Sequence, residues 1–403
     1  MTTENSQFLL FFTAVFVSNA LIAAPQKSGE VSIEYLASPA PENSALSRVV
    51  SDKSGRIYLS WVNREGDSAR FEYSKLMDSG WSNPETISEG HDWFVNWADF
   101  PMLSVNAGNM AAHWLRMSAD GTYDYNIEAS FFVAGTRNWS EARIIHNDGV
   151  NAEHGFVSML PMDGGSTMFT WLDGRNTKLE EAYGEMTLRA GVFDAAGKKL
   201  DEWELDHRVC DCCQTSSAIT AKGPLIVYRD RSDSEVRDIS IVRYIDGSWT
   251  APLPVHDDGW QISGCPVNGP SVSADDNRVA VSWFTAKDDI PKVLLALSND
   301  AGETFTSPLT VSSINTNGRV GTAILDNGNV VVSWIDTAEE ARIMLSLYSA
   351  VGAFVGSYEI ADTSASRRSG FPIIEGVGNS VYISWTDVSA ASQVRIARLV
   401  SGN

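Results

Sequence analysis

Three short segments hold most of the residues able to do chemistry in this 403-residue sequence. Cys210-Asp-Cys212-Cys213-Gln-Thr215 carries three of the four cysteines, and Gly264-Cys265-Pro-Val-Asn268-Gly-Pro270 carries the fourth. Between them, the run from Arg229-Asp230-Arg231 through Glu235-Val-Arg237-Asp238 interleaves guanidinium and carboxylate groups. Thiols at this density support two chemistries. In an oxidising compartment an even cysteine count favours disulfides, for instance Cys210 or Cys212 with Cys265. Clustered thiols with imidazoles nearby, here His154 and His207, instead suit a soft or borderline ion such as copper or zinc, which prefers S and N donors. Cys-x-Cys-Cys is not among the strong zinc spacings, so both readings stay open.

The arginines offer a different chemistry. Arg229, Arg231, Arg237 and Arg319 present planar forks that can grip a carboxylate, sulfate or phosphate at two points, with Asn268 as an uncharged partner in the same region. The same guanidiniums can equally pair with Asp230, Glu235 and Asp238 and stiffen the loop that carries them.

These segments need elements to bring them together, and the sequence repeats in a way that supplies them. A run of apolar or β-branched residues ending in an aromatic recurs at Trp61, Trp114, Trp171, Tyr228, Trp283, Trp334 and Trp385, spaced 51 to 57 residues apart. That period is what four short strands and their turns consume in one propeller blade. The expectation is an all-β, seven-bladed β-propeller of four-stranded antiparallel blades over residues 25–403, with a six-bladed ring as the alternative. The last repeat runs out after its third strand, while Glu30-Val-Ser-Ile-Glu-Tyr-Leu36 has no repeat of its own. Pairing the two chain ends would complete the last blade and remove an open edge.

Counting 13 residues back from each aromatic aligns Arg48, Pro101, Ser158, Thr215, Pro270, Gly321 and Pro372 on the innermost strands. Blade topology then puts the segments just before this column, and the loops after each aromatic, on one face. That face should gather all four cysteines, Asp99, Asp211, Arg367, Arg368 and five of the six histidines, including His91, His146 and His256.

A net charge of -21 and pI near 4.6 exclude nucleic acid and anionic membrane surfaces as partners, since both need a basic footprint. Residues 8–24 form the one long apolar run, with Ala23 and Ala24 before Pro25, and are expected to act within a signal peptide over residues 1–24. Export to the periplasm or beyond follows, as a monomer with no span remaining after cleavage.

Ser298-Asn-Asp300-Ala-Gly302-Glu-Thr-Phe305 fits the Asp-box, Ser-x-Asp-x-Gly-x-x-aromatic, and on it the chain resembles the sialidase-like proteins with bacterial neuraminidase repeats. The cysteine and arginine segments resemble those of bacterial exported proteins grouped with exo-alpha-sialidases by their repeats. The resemblance implies a propeller and, in true sialidases, an arginine triad, a Tyr nucleophile activated by Glu, and an Asp acid/base. Ser47-Arg48-Val-Val stands where the first arginine motif of that family would be, without its Ile and Pro.

The sequence thus points to a funnel at the fourth and fifth blades that binds a small anionic ligand or a metal ion. One rival is a glycosidase acting on an acidic sugar, with Asp230, Glu235 and Asp238 as acid/base candidates. The other is a protein-interaction scaffold.

Overall fold

Each repeat alternates apolar residues with small or polar ones over five to nine positions, the pattern of a strand packed on both faces. In the computed structural model, which describes residue 1 and residues 31–136, 138–178 and 184–400, these runs form seven antiparallel sheets, so the ring has seven blades and not six. Apart from Met1, the expected signal peptide lies outside the described residues. No helix among the described residues is long and apolar enough to cross a membrane.

Blade 4 shows the common plan. Ser216–Thr220 is innermost, Gly223–Arg229 follows and ends with Tyr228-Arg229, then come Ile239–Ile245 and the outer Leu253–His256. The turn between the last two is closed by Ser248–Trp249, the Gly-aromatic turn read from the sequence. Blade 7 takes its outer strand from the N-terminus. Ser32–Leu36 pairs with Gln393–Val400 in register from Ser32 opposite Val400 to Leu36 opposite Ile396. The ring is therefore closed by a strand pair between chain ends, which covers what would be an open edge.

The recurring aromatics fill the spaces between blades. Trp61, Trp114, Trp171, Tyr228 and Trp283 are fully buried, and Trp334 and Trp385 nearly so. At roughly 25 cal/mol per Å² and about 200 Å² apiece, each contributes about 5 kcal/mol of gross burial. Several have partners for their polar atoms: Trp61 and Trp114 donate across the strand pair to Glu72 and Glu128 respectively, Trp171 donates to Asp173 and Trp283 to Asp258, whereas the buried Nε1 of Trp334 has none among the described residues.

The inner strands line a channel of about 400 Å³. Six of the seven residues in the aligned column, Arg48, Ser158, Thr215, Pro270, Gly321 and Pro372, face it, and Phe100 and Met102 flank the seventh. Two residues before that column the chain turns through left-handed backbone in four blades, at Leu46, Phe156, Arg319 and Gly370, with φ between 52° and 63°. The Asp-box acts structurally: Asp300 accepts hydrogen bonds from Glu303 N, Thr304 N and Thr304 Oγ1, and Gly302 takes a φ of 78°.

Candidate functional site

The three chemistry-rich segments, far apart in sequence, meet at one end of the channel. Cys210 N donates to the Arg229 carbonyl at 3.1 Å, and Val209 bridges Asp230. Arg229 reaches the third segment, donating from Nε and Nη2 to the Asn268 carbonyl at 3.0 and 2.8 Å. Gly269 N donates to Gln214 Oε1, and the two backbones run so close that a Cβ on Gly269 would lie 2.0 Å from the Gln214 carbonyl oxygen. Only glycine permits that approach.

The loop 210–213 turns its thiols inward. The sulfur atoms of Cys210, Cys212 and Cys213 lie within 4.8 Å of one another, and Cys210 Sγ is 3.3 Å from Cys213 Sγ. Cys265 comes in from blade 5 to face Cys212. Exposure grades along the group: Cys265 is exposed, Cys212 is half-buried, and Cys210 and Cys213 are buried. All four are free thiols, so neither Cys210 nor Cys212 is bonded to Cys265, and the disulfide staple between the blades, one of the two readings of these cysteines, is not formed. Arg237 Nη1 stands 3.2 Å from Cys210 Sγ. Contacts from Cys212 and Cys213, and then the charge of Arg229, push the Cys210 thiol well below its ordinary range.

The two histidines expected beside the thiols are not there. His207 is almost wholly exposed and its ring lies 3.7 Å from Asp206. His154 is buried in a separate cluster at the junction of blades 2 and 3. Its Nε2 is 3.1 Å from Asp148 Oδ2, and its ring stacks on His146 with centroids 3.8 Å apart. His146 Nδ1 approaches the same Asp148 oxygen at 3.0 Å. A guanidinium already provides the cation there, since Arg175 Nη2 lies 3.1 Å from Asp148 and 2.7 Å from Asp173.

The arginines expected to hold an anion are mostly spent. Arg229 is buried and also donates to the carbonyls of Arg237 and Phe284, with its guanidinium 5.0 Å above the Trp260 ring. Arg319 is buried against Trp97 and donates to the carbonyls of Ala365, Ser366 and Gly370 and to Ser369 Oγ. Asn268 Oδ1 accepts from Arg319 N. These three brace the mouth instead of lining it for a ligand. Arg231 is half-buried at the mouth and Arg237 is buried beside it, and both grip Glu235, Arg231 also reaching Glu185 and Asp211.

The acid/base candidates are similarly placed. Glu235, held by Arg231 and then Arg237, has its carboxyl lowered to about 2, so it stays an anion. Asp238 accepts the backbone N–H groups of Gly259 and Trp260 and fixes that loop. Asp230 accepts from Arg231 N and Ser240 Oγ, and burial raises it.

Two residues at the mouth escaped the sequence reading. Tyr125 OH sits between Asp99 Oδ2 at 2.9 Å and Glu153 Oε1 at 3.0 Å. A phenol has one proton to give, so one of these carboxyls must carry a proton for both contacts to be hydrogen bonds. Burial pushes Asp99 up to about 7 and Glu153 up to about 8, Glu153 being raised further by Asp99, Asp211 and Cys265. The available signal was that Asp99, Tyr125 and Glu153 fall in the segments that topology sends to this face.

No protein-family model matches the chain, and no curated protein sequence matches it. Among solved structures, the polysaccharide lyase Uly1 superposes with a TM-score of 0.55 at 9% identity, over 93% of this chain and 99% of that one. A puromycin-hydrolyzing peptidase of Mycobacterium tuberculosis superposes with a TM-score of 0.50 at 12% identity, over 88% of this chain and 51% of the peptidase. The NanB sialidase of Streptococcus pneumoniae aligns at a TM-score of 0.48 and 12% identity, over 90% of this chain and 69% of the sialidase. What the first two similarities establish is the fold: this chain shares a β-propeller architecture with proteins of different chemistries.

Proposed function

We propose that the chain is an exported propeller that holds a thiophilic metal ion, copper or zinc, at the channel mouth through Cys210, Cys212 and Cys213, with Cys265 completing the donor set. The observation that carries this is three sulfurs within 4.8 Å of one another on a single short loop. Metal–sulfur bonds of about 2.3 Å in a tetrahedron put the sulfurs roughly 3.8 Å apart, inside the range found here. The guanidiniums of Arg237 and Arg229 would offset the negative charge of a metal–thiolate group. The anion reading loses ground because Arg229 and Arg319 are consumed by carbonyls.

Metal analysis of protein purified without chelator, together with thiol counting after unfolding, tests the proposal. The expected result is about one equivalent of copper or zinc, lost in Cys212→Ser. Four cysteines found fully oxidised with no metal retained would overturn it.

The Glu153–Tyr125–Asp99 group favours one further reading, a reaction on an acidic sugar with Glu153 as proton donor. A polysaccharide lyase and a sialidase occur among the structures with this architecture, which accords with that reading without carrying it. Turnover of a fluorogenic sialoside that disappears in Glu153→Gln would support it, and no turnover of sialosides or uronate polymers would remove it.

A further inference from the structure

Cys210-Asp-Cys-Cys213 has the spacing C-x-x-C, and the sulfurs of this pair lie 3.3 Å apart. Dithiols so spaced, next to a cationic group, are the common device of thiol–disulfide exchange. Here the cation is Arg237, 3.2 Å from Cys210 Sγ. Both members of the pair are buried, however, and no bulky disulfide can reach them directly. The other two cysteines span that gap. Cys265 is exposed, Cys212 is half-buried and faces it, and Cys212 lies within 4.8 Å of both buried sulfurs.

We infer that the four cysteines form a two-stage relay that reduces an external disulfide, Cys265 and Cys212 taking the exchange from solvent and Cys210 and Cys213 holding the reserve electrons. The Cys265 thiolate attacks one sulfur of R–S–S–R, breaking that bond, forming a mixed disulfide and expelling R–S⁻. Cys212 then attacks the Cys265 sulfur, expelling the second R–S⁻ and leaving a Cys212–Cys265 disulfide. Next Cys210 attacks Cys212 and frees the Cys265 thiolate, and Cys213 attacks Cys210 and frees Cys212. The outcome is a Cys210–Cys213 disulfide with the outer pair reduced again. Each round oxidises two protein thiols, reduces one external disulfide and passes two protons to two R–SH; a second round oxidises the outer pair. The co-reactant is a disulfide of low molecular weight or one exposed on a protein, and attack is limited by access, which the exposure gradient provides at Cys265 alone.

The relay needs the thiols and not the ion, so it stands or falls separately from the metal proposal; a bound ion would occupy the same sulfurs and block exchange. The test uses chelator-treated, reduced full-length protein and glutathione disulfide, with released glutathione measured and protein disulfides mapped by mass spectrometry. The wild type should release four glutathione equivalents per chain, in two phases, with bonds mapped to Cys210–Cys213 and Cys212–Cys265. Cys265→Ala, an exposed position where folding is not at risk, should slow oxidation of the buried pair at least about tenfold. Cys213→Ser should keep the outer bond and lose the second phase. Zinc added first should suppress release if the metal reading holds, and leave it unchanged if only the relay is correct. The relay is overturned if Cys265→Ala oxidises Cys210–Cys213 at the wild-type rate, or if glutathione disulfide forms no protein disulfide over a full range of redox buffers.

Discussion

Replacing Arg229 by Met removes the group that ties the three mouth segments together. In the wild type its guanidinium gives four hydrogen bonds to three carbonyls, those of Asn268, Arg237 and Phe284, at 2.6 to 3.0 Å. Left without donors in a buried setting, each carbonyl costs about 1–3 kcal/mol, or roughly 3–9 kcal/mol together. Met keeps much of the apolar stem against Trp260, and the charge no longer has to be desolvated, which returns several kcal/mol. A net loss of about 3–4 kcal/mol is expected. Urea unfolding followed by tryptophan fluorescence reads it: with an m-value of about 3 kcal/mol/M or more for a chain of this size, the midpoint falls by about 1 M. Arg229→Lys should recover less than half of the loss, because one ammonium cannot serve three divergent carbonyls. The local effect should be larger than the global one, with Cys210 and Cys213 becoming reactive to thiol reagents in the folded protein. A midpoint within about 0.2 M of wild type, with both thiols still protected, would refute the argument that Arg229 builds the mouth.

Two further outcomes follow from the same physics. Burial raises Asp99 to about 7 and Glu153 to about 8, above the roughly 3.9 and 4.3 of the unfolded chain, so the stability they contribute is full below about pH 4 and is lost as pH rises through 7 to 8; the urea midpoint should fall between about pH 5 and 9, the fall should shrink in Asp99→Asn, and a midpoint that rises over this range would contradict the assignment. Deleting Ser32–Leu36 strips blade 7 of its outer strand and exposes Gln393–Val400 as an edge, so the truncated chain should melt lower and self-associate on size-exclusion chromatography; an unchanged melting temperature and elution would show that the ring does not depend on this closure.

The architecture was legible because it is written in periodic, local features. An aromatic every 51 to 57 residues marks the strand whose side chain must fill the space between blades, and counting 13 back from it lands on the channel lining in six of seven blades. The unassigned strand at the start of the repeats and the missing one at the end could be matched by arithmetic alone. That the cysteine, arginine and Asn-Gly-Pro segments share a mouth followed from the same topology, since it depends on which end of a strand a loop joins and not on side-chain detail.

What each polar side chain does there was decided by tertiary packing. Arg229, Arg231, Arg237 and Arg319 read alike in sequence, yet two are consumed by backbone carbonyls and two by Glu235, because burial forces each guanidinium to take whichever acceptors the neighbouring blades present. His154 sits in the right segment for the thiols but is held at the next blade junction by Asp148, 6 residues away in the chain, against His146 and Arg175. Tyr125 and Glu153 carry no motif; they matter because the fold sets one phenolic proton between a buried and a half-buried carboxyl. Strand period and blade topology are fixed by backbone hydrogen bonding and the alternation of apolar residues, which are properties of the chain itself. Proton positions, thiol spacing and the choice of ion-pair partner depend on distances of a few ångströms between segments that only the closed ring brings together.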